Sequence, residues 1–183
     1  MNMIIPTRDH FGYLLDALGL NGEGVEIGVQ HGVFSKSILS RWSSGRLHLV
    51  DPWSVLEDYD DGINTLDRES DYKTCLENLK DYLLEDRVIV KRGLSTDVVH
   101  KYPDEYFDFV YIDANHETAH VYQDMKDWYP KLRPGGVFAG HDYVEGFEWV
   151  RVIPAVVRFF SEIGGTFRIT DEEYPSWWSI KNR

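Results

Sequence analysis

The chain has 183 residues, of which 43% are hydrophobic and 27% charged, a composition typical of one globular domain, here residues 1–183. The formal net charge of −12 argues against a nucleic-acid partner, because binding to phosphates requires clustered lysine and arginine. The single cysteine, Cys75, excludes an intramolecular disulfide and a thiolate metal cluster.

Membrane and secretion signals are missing from the sequence pattern. No apolar run approaches the roughly 20 residues that span a bilayer, so we expect no membrane contact. The amino-terminal residues show no basic region leading into an apolar stretch of signal length. We therefore expect a cytoplasmic protein.

Helical and strand patterns alternate along the chain, which predicts an α/β fold with a mostly parallel sheet and helices on both faces. The predicted helices lie near 8–19, 66–83, 117–132 and 150–163, with a further helix between the first two strands. The predicted strands lie near 24–28, 46–51, 87–91, 107–113, 135–140, 166–170 and 177–181.

Two of the predicted helices carry an apolar stripe at spacings of three, four and seven, so one face of each is expected to pack on the sheet. In 66–83 the stripe is Leu66, Tyr72, Leu76, Leu79 and Leu83, and in 117–132 it is Val121, Met125, Trp128 and Leu132. In the last strand, Trp177 and Trp178 should point to opposite faces. One of these rings is therefore expected to be exposed unless a second copy of the chain covers it, which predicts a possible homodimer.

The segment GVEIGVQHGVFSKSILSRW (24–42), followed by RLHLVDPW (46–53), reads as strand, glycine turn, helix and a second strand ending in an acid. Gly28 and Gly32 allow a sharp turn and a close approach of a ligand to the backbone. Asp51, at the end of the second strand, is placed to accept hydrogen bonds from ribose hydroxyls. The three-glycine dinucleotide fingerprint is absent, which favours a nucleoside cofactor without a pyrophosphate.

The pattern E-I-G-x-x-x-G with Asp51 at the end of the next strand resembles class I S-adenosylmethionine (SAM)-dependent methyltransferases. The segment 111–143, with D-x-x-H, L-R-P-G-G and H-D-Y in that order, is similar to small metal-dependent O-methyltransferases that act on sugars and natural products, such as macrocin and mycinamicin O-methyltransferases. The resemblance covers roughly residues 20–145. It implies a Rossmann-like, mostly parallel seven-stranded sheet whose last strand is inserted antiparallel.

The same resemblance implies a set of cofactor contacts. Glu26 would reach the methionyl ammonium of SAM, Gly28 would lie against the cofactor, and Asp51 would bind the ribose diol. Ser95 follows the strand RVIVKR, where the class contacts adenine, although the Asp or Asn common at that point is absent. The expected cofactor-binding residues are Glu26, Gly28, Gly32, Asp51, Ser95 and Asp113.

Acids and histidines follow two neighbouring predicted strands. Asp113 comes directly after one, and His141 and Asp142 follow the other, so the three side chains are expected to converge on a divalent-metal site. The alternative is that the aspartates cap the segments that follow them. The resemblance implies an acid and an acidic pair holding Mg²⁺, and His141 departs from that pair. One negative charge fewer disfavours Mg²⁺ and suits Mn²⁺ better.

His116 is the candidate general base, since a neutral imidazole can take the proton of an attacking hydroxyl. The D-x-x-H match implies this role, with Asp113 as its catalytic neighbour, whereas a histidine at such a junction is otherwise a capping or surface residue. Two further features have open interpretations. Segment 54–64 is a lid or a surface loop, and the aromatic residues form either a wall for a sugar or core packing; they are Trp53, Tyr143, Phe147 and Trp149.

Together these features predict a SAM-dependent O-methyltransferase that methylates a hydroxyl of a saccharide or sugar-containing small molecule with the help of Mg²⁺ or Mn²⁺. Two alternatives remain at this point. One is an NAD-dependent oxidoreductase, which the missing third glycine disfavours, and the other is a nucleoside-binding module without catalysis.

Overall fold

The computed structural model describes residues 4–56 and 67–182. The strands are β1 (Glu23–Ile27), β2 (Arg46–Asp51), β3 (Val88–Arg92), β4 (Phe107–Ile112), β5 (Leu132–Gly140), β6 (Arg168–Ile169) and β7 (Trp177–Ile180). The helices are α1 (Phe11–Ala17), α2 (Val33–Leu39), α3 (Arg68–Asn78), α4 (Lys80–Leu84), α5 (Ser95–Val98), α6 (Thr118–Trp128) and α7 (Val152–Glu162), with 3-10 turns at Arg8–His10 and Val99–Lys101. Among the described residues, no helix is both long and apolar enough to cross a membrane.

Within the described residues these strands form one seven-stranded sheet in the order β3-β2-β1-β4-β5-β7-β6. The first five in that order pair in parallel, while β7 runs antiparallel to both β5 and β6. The predicted Rossmann-like fold class, including the inserted antiparallel strand, is confirmed. The strand order reverses between β1 and β4, and a crevice for a ligand is expected at such a point, outside the carboxyl ends of the strands.

Helices pack on both faces of the sheet. The strands therefore carry apolar residues on both sides instead of alternating apolar and polar residues. One buried cluster joins the sheet to α1, α2 and α3, and the other joins it to α5, α6 and α7. Trp178 belongs to the first cluster and Trp177 to the second, and both rings are buried. The expected exposed tryptophan is therefore absent, because the two rings point to opposite faces of the sheet and each joins the buried cluster on its own face. The homodimer prediction loses the observation on which it rested.

The predicted helix 66–83 differs from the structure in two ways. It is divided at Leu79, whose backbone leaves the helical region at φ −109° and ψ 9°. Its buried face also contains Asp71 and Cys75, whereas Tyr72 and Leu76 are only half-buried, and Leu66 lies outside the described residues. A polar residue occupies the buried face because Asp71 pairs there with His31 and Arg68, both at 2.8 Å. The predicted helix 117–132 ends earlier, at Trp128: Val121, Met125 and Trp128 are buried on α6 as predicted, whereas Leu132 is buried as the first residue of β5.

Candidate active site

A cavity of about 700 Å³ lies along the carboxyl ends of the parallel strands. The hydrogen bonding of the sheet continues one residue past several strands and fixes the backbone there: the Asp113 N–H donates to Ile27 O at 2.7 Å and the His141 N–H to Ile112 O at 3.0 Å. The cavity is lined by all but one of the site residues predicted from sequence: Glu26, Gly28, Asp51, Ser95, Asp113, His116, His141 and Asp142.

The exception is Gly32, which does not line the cavity. It is the N-cap of α2 with φ 70°, and a Cβ there would meet Leu79 Cδ1 at 2.9 Å and Cys75 Sγ at 3.0 Å. Gly32 is therefore needed for its backbone conformation and for close packing of α2 on the α3–α4 segment, rather than for contact with a cofactor. Its predicted place among the cofactor-binding residues is corrected accordingly.

Gly28 lines the cavity, but its missing Cβ serves the fold as well. At φ 83°, an added Cβ would lie 1.9 Å from the Asp113 carbonyl oxygen and 2.6 Å from Ala114 Cα. The turn after β1 thus packs directly on the backbone that follows β4. This contact brings the predicted cofactor side of the cavity next to the predicted metal side.

Asp51 is buried at the end of β2, where its carboxylate holds the glycine turn in place. Oδ2 accepts the backbone N–H groups of Val29 at 2.9 Å and Gln30 at 3.0 Å, and Oδ1 accepts that of Trp53 at 2.7 Å. A carboxylate offers about four acceptor sites, so room remains for a ribose hydroxyl but the turn occupies most of them. Asp51 therefore caps the turns that follow β1 and β2 in addition to any contact with a ribose.

Glu26 is buried at the base of the cavity, and its Oε2 accepts a hydrogen bond from Ser35 Oγ at 2.5 Å. Burial raises the pKa of Glu26 to about 8, against the opposing effect of the Ser35 hydrogen bond. This carboxyl group is therefore largely neutral at pH 7, although the charge of Arg8 nearby favours its ionised form. An ammonium group placed on it would favour the charged form.

Asp124 is a site residue that the sequence reasoning missed. It lies on α6, lines the cavity with 5% of its surface exposed, and accepts a short hydrogen bond from the Ser95 hydroxyl. Burial raises the pKa of Asp124 to about 7, more than the Ser95 hydrogen bond lowers it. The available signal was an acid at a buried position of an otherwise apolar helix face. Ser95 does reach the cavity as predicted, with its hydroxyl engaged by Asp124.

Asp113, His141 and Asp142 converge as predicted, each offering one ligand atom, and these three atoms lie within 4.8 Å of one another. Asp142 adopts φ 55°, a left-handed conformation that aspartate tolerates better than most residues. Burial favours its neutral form, but hydrogen bonds with His116 and His141 outweigh this and hold the pKa of Asp142 below its usual value. Two oxygens and one nitrogen form a donor set that fits a divalent cation.

His116 lies against the same carboxylates, with Nε2 at 2.9 Å from Asp142 Oδ2 and 3.8 Å from Asp113 Oδ1. Burial disfavours the imidazolium, but the close pairing with Asp142 and the negative charges of Asp113 and Asp142 raise the pKa of His116 to about 10. The predicted base is thus protonated at neutral pH while it faces the negative charge of these two carboxylates. His116 can accept a proton only when a further positive charge balances the Asp113 and Asp142 carboxylates.

The predicted aromatic wall is divided between core and surface. Trp53 is buried, and Tyr143 is half-buried against Phe167 with ring centroids 5.4 Å apart. Phe147 and Trp149 are 36% and 43% exposed, and the Trp149 ring lies 5.7 Å from that of His116. In the segment 54–64, residues 54–56 line the cavity and 57–64 lie outside the described residues, so the lid interpretation stays a prediction.

Comparison with known proteins agrees with this geometry. The family description "Methyltransferase domain" matches residues 25–143, more than half of the chain. The chain belongs to this methyltransferase family. Membership confirms the predicted SAM-dependent methyltransferase, and neither the oxidoreductase nor the non-catalytic alternative receives support. No curated protein sequence matches the chain.

Solved structures of methyltransferases share the fold. An O-methyltransferase from Bacillus cereus in complex with S-adenosylhomocysteine (SAH) has 20% identity and a TM-score of 0.65, over 98% of this chain and 83% of that one. TomG from Streptomyces achromogenes, an O-methyltransferase involved in tomaymycin synthesis and solved with SAM, has 15% identity and a TM-score of 0.65, over 96% of this chain and 79% of that one. At these identities the likeness concerns the fold of this methyltransferase.

Proposed function

We propose that this methyltransferase transfers the methyl group of SAM to a hydroxyl of a saccharide or a sugar-containing small molecule, with a divalent cation at Asp113, His141 and Asp142. The observation that carries the proposal is the convergence of these three ligands within 4.8 Å at one end of the cavity, beside His116. The O-methyltransferase activity of the structural relatives from Bacillus cereus and Streptomyces achromogenes supports the same reaction class.

The cofactor fits along the carboxyl ends of the strands in a defined direction. The sheet order β3-β2-β1-β4-β5 places Ser95, Asp51, Gly28, Asp113 and Asp142 successively along one edge. With the ribose on Asp51, adenine extends towards Ser95 and Asp124, and the methionyl group extends over Gly28. The methyl group then faces the end that contains Asp113 and His116.

The residues at that end supply orientation and proton transfer. A divalent cation, when bound there, supplies Lewis acidity that lowers the pKa of a coordinated hydroxyl. Asp113, His141 and Asp142 fix the position of the acceptor oxygens, and the single nitrogen ligand favours Mn²⁺ over Mg²⁺. His116 takes the hydroxyl proton once the charge of the two carboxylates is balanced, so that its imidazole is neutral.

The aromatic residues beside His116 support a saccharide acceptor. The rings of Phe147 and Trp149 lie 5.6 Å apart, and Tyr174 continues the row at 5.6 Å from Phe147. Exposed aromatic faces of this kind stack on the apolar face of a sugar ring. Such stacking would hold the sugar with its hydroxyls towards the metal ligands.

The first test is calorimetric titration with SAH and, in parallel, with NAD⁺. Micromolar binding of SAH without binding of NAD⁺ is expected, and binding of NAD⁺ alone would contradict the cofactor assignment. Methylation of a panel of sugar nucleotides and of catechol is then measured with Mn²⁺, with Mg²⁺ and with EDTA. Methylation of a sugar nucleotide that is strongest with Mn²⁺ and lost with EDTA is the expected result.

A variant pair tests the acceptor surface. Trp149→Ala should raise the acceptor KM up to about tenfold and leave SAH affinity unchanged, since aromatic stacking contributes roughly 0.5–1.5 kcal/mol. Tyr13→Ala is the matched control, because Tyr13 is an exposed aromatic residue on α1 that does not line the cavity. Methylation of catechol alone would reject the saccharide while leaving the methyltransferase reaction in place.

A further inference from the structure

Arg8 extends from the amino-terminal 3-10 turn into the cavity, and the sequence analysis gave it no role. Its backbone N–H donates to Glu172 Oε1 at 2.8 Å, and its guanidinium lies 5.3 Å from the centroid of the Phe34 ring. Nη1 donates to Asp113 Oδ2 at 3.2 Å, and 30% of the side chain is exposed. The guanidinium is thus held in place while remaining accessible from the cavity.

The position of Phe34 locates this guanidinium relative to the cofactor. Phe34 is the second residue of α2, so Arg8 lies over the first turn of that helix, directly after the glycine turn that begins at Gly28. Glu26 and Asp113 are both close enough to act on its charge. If the ribose lies on Asp51, this is the end of the cavity that the methionyl group reaches.

To bind both charged groups of the methionyl part of SAM, this end of the cavity needs a positive side chain as well as its carboxylates. The methionyl group of SAM ends in an ammonium and a carboxylate, and Glu26 and Asp113 are acceptors suited to the ammonium. Among the described residues that line the cavity, only Arg8 and Arg68 carry a guanidinium or an aliphatic ammonium. Arg68 lies beyond the ribose position, with Asp71 at 2.8 Å and Asp51 at 3.7 Å.

We propose that Arg8 binds the α-carboxylate of the methionyl group of SAM. An arginine has five N–H donors in a fixed fork, so the contact with Asp113 leaves donors for a carboxylate on the cavity side. Phe34 supports the flat face of the guanidinium in this orientation. Arg8 would then select a cofactor with an intact amino-acid end and link the amino-terminal segment to cofactor binding. The inference rests on the proposed function.

The test compares two ligands on matched variants by calorimetry, with EDTA present so that no metal competes for Asp113. The ligands are SAH and its decarboxylated analogue, which keeps the ammonium and lacks the α-carboxylate. The variants are Arg8→Gln, which removes the charge, Arg8→Lys, which keeps it, and Arg158→Gln, an exposed control on α7. Circular dichroism and thermal unfolding check that each variant is folded.

Wild-type protein and the Arg158→Gln control should bind SAH at least about tenfold more tightly than the analogue, as expected for a charged hydrogen-bonded pair. Arg8→Gln should abolish this preference by weakening SAH binding, with analogue affinity within about twofold of wild type. Arg8→Lys should retain part of the preference.

Three results would overturn the inference. The first is that the wild type binds both ligands with equal affinity. The second is that Arg8→Gln weakens the binding of both ligands equally. The third is that Arg8→Gln changes only the acceptor KM. Failure of the wild type to bind SAH at all would instead reject the proposed function, and the role of Arg8 with it. The ligand comparison in the wild type therefore separates the two failures.

Discussion

Asp124 and Asp142 are both buried aspartates on the wall of one cavity, yet their carboxyl groups are held in opposite states. Burial raises the pKa of Asp124 to about 7, and its hydrogen-bond partner is the uncharged Ser95 hydroxyl. Hydrogen bonds with His116 and His141 hold the pKa of Asp142 below its usual value despite its burial. Burial therefore decides the state of the Asp124 carboxyl group, whereas the neighbouring histidines outweigh burial at Asp142.

This difference divides the cavity into two chemical halves. In the end near β2 and β3, the neutral half, burial favours the neutral form of Asp124 and backbone N–H groups satisfy most of Asp51, which suits an uncharged base and ribose. The charge of Arg68 in this half is balanced by Asp71 and Asp51. The end near β4 and β5 holds carboxylates, histidines and Arg8 in charged contact, which suits a cation and a zwitterion. Substitutions at the boundary and within each half test this division.

The two halves touch at Gly28, so Gly28→Ala should break their alignment. A Cβ 1.9 Å from the Asp113 carbonyl oxygen forces the backbone after β1 and β4 apart, and we expect a loss of at least about 4 kcal/mol of unfolding free energy in urea titration. Gly146→Ala is the control, because its φ is 95° but no atom of residues 4–56 or 67–182 lies within 4 Å of the added Cβ. That variant should lose only about 1–2 kcal/mol. Similar losses in the two variants would contradict the packing argument.

Asp142→Asn should remove cation binding from the charged half. Asparagine tolerates the left-handed backbone at this position, so the fold should persist. We expect Mn²⁺ affinity, measured by calorimetry, to fall at least about 100-fold. Removal of a residue that only hydrogen-bonds to a metal ligand costs up to about 100-fold, and Asp142 is itself a proposed ligand. SAH affinity should stay within about twofold. Asp104→Asn, on the exposed surface, is the control, and unchanged Mn²⁺ binding in Asp142→Asn would reject the metal site.

His116→Ala should lower kcat by at least about 100-fold while SAH affinity is kept, because general-base catalysis contributes roughly 10²–10⁴-fold. His120→Ala is the matched control, since His120 lines the same cavity from an exposed position on α6. Steady-state kinetics with the acceptor identified from the panel measures the difference. Equal turnover in wild type and His116→Ala would remove His116 from proton transfer.

Asp124→Asn should change the pH dependence of stability in the neutral half. Between about pH 4 and pH 7 the unfolded Asp124 is ionised while the folded one keeps its proton, so wild-type stability falls as pH rises through this window. Asparagine cannot ionise, so the variant should match wild type near pH 4. At pH 8 it should melt roughly 8–16 °C higher, because a pKa raised to about 7 costs about 4 kcal/mol of stability, at 2–4 °C per kcal/mol.

The control for this profile is Asp127→Asn, on the same helix, where the carboxylate accepts a hydrogen bond from Gln123 near the surface. Thermal unfolding of the three proteins from pH 4 to pH 8 gives the comparison. Parallel profiles for wild type and Asp124→Asn would show that Asp124 is ionised in the folded protein.

Much of the site could be predicted because its residues follow strands directly. Asp113, His141 and Asp142 come at the carboxyl ends of β4 and β5, and neighbouring parallel strands bring such ends together. The predicted positions of Asp51 and Ser95 on the cavity follow from the same rule. Local strand patterns and parallel pairing were therefore enough to assemble most of the cavity.

The residues that were missed or misassigned depend on contacts between distant segments. Arg8 and Asp113 are 105 residues apart, and no local pattern announces their pairing. Gly32 looked like a cofactor glycine, but α3 and α4 pack against it. Asp124 interrupts an apolar stripe, and only the structure shows the Ser95 hydroxyl that accompanies it.

The alternation of strands and helices, the glycine turn after β1 and the acids at the strand ends could be read from local sequence, because these features depend on neighbours along the chain. Tertiary structure alone decided the protonation of Glu26, His116 and Asp124, the burial of both terminal tryptophans and the placement of Arg8. A pKa or a charge contact depends on which groups lie within a few ångströms and on how much water is excluded, and packing between distant segments sets both.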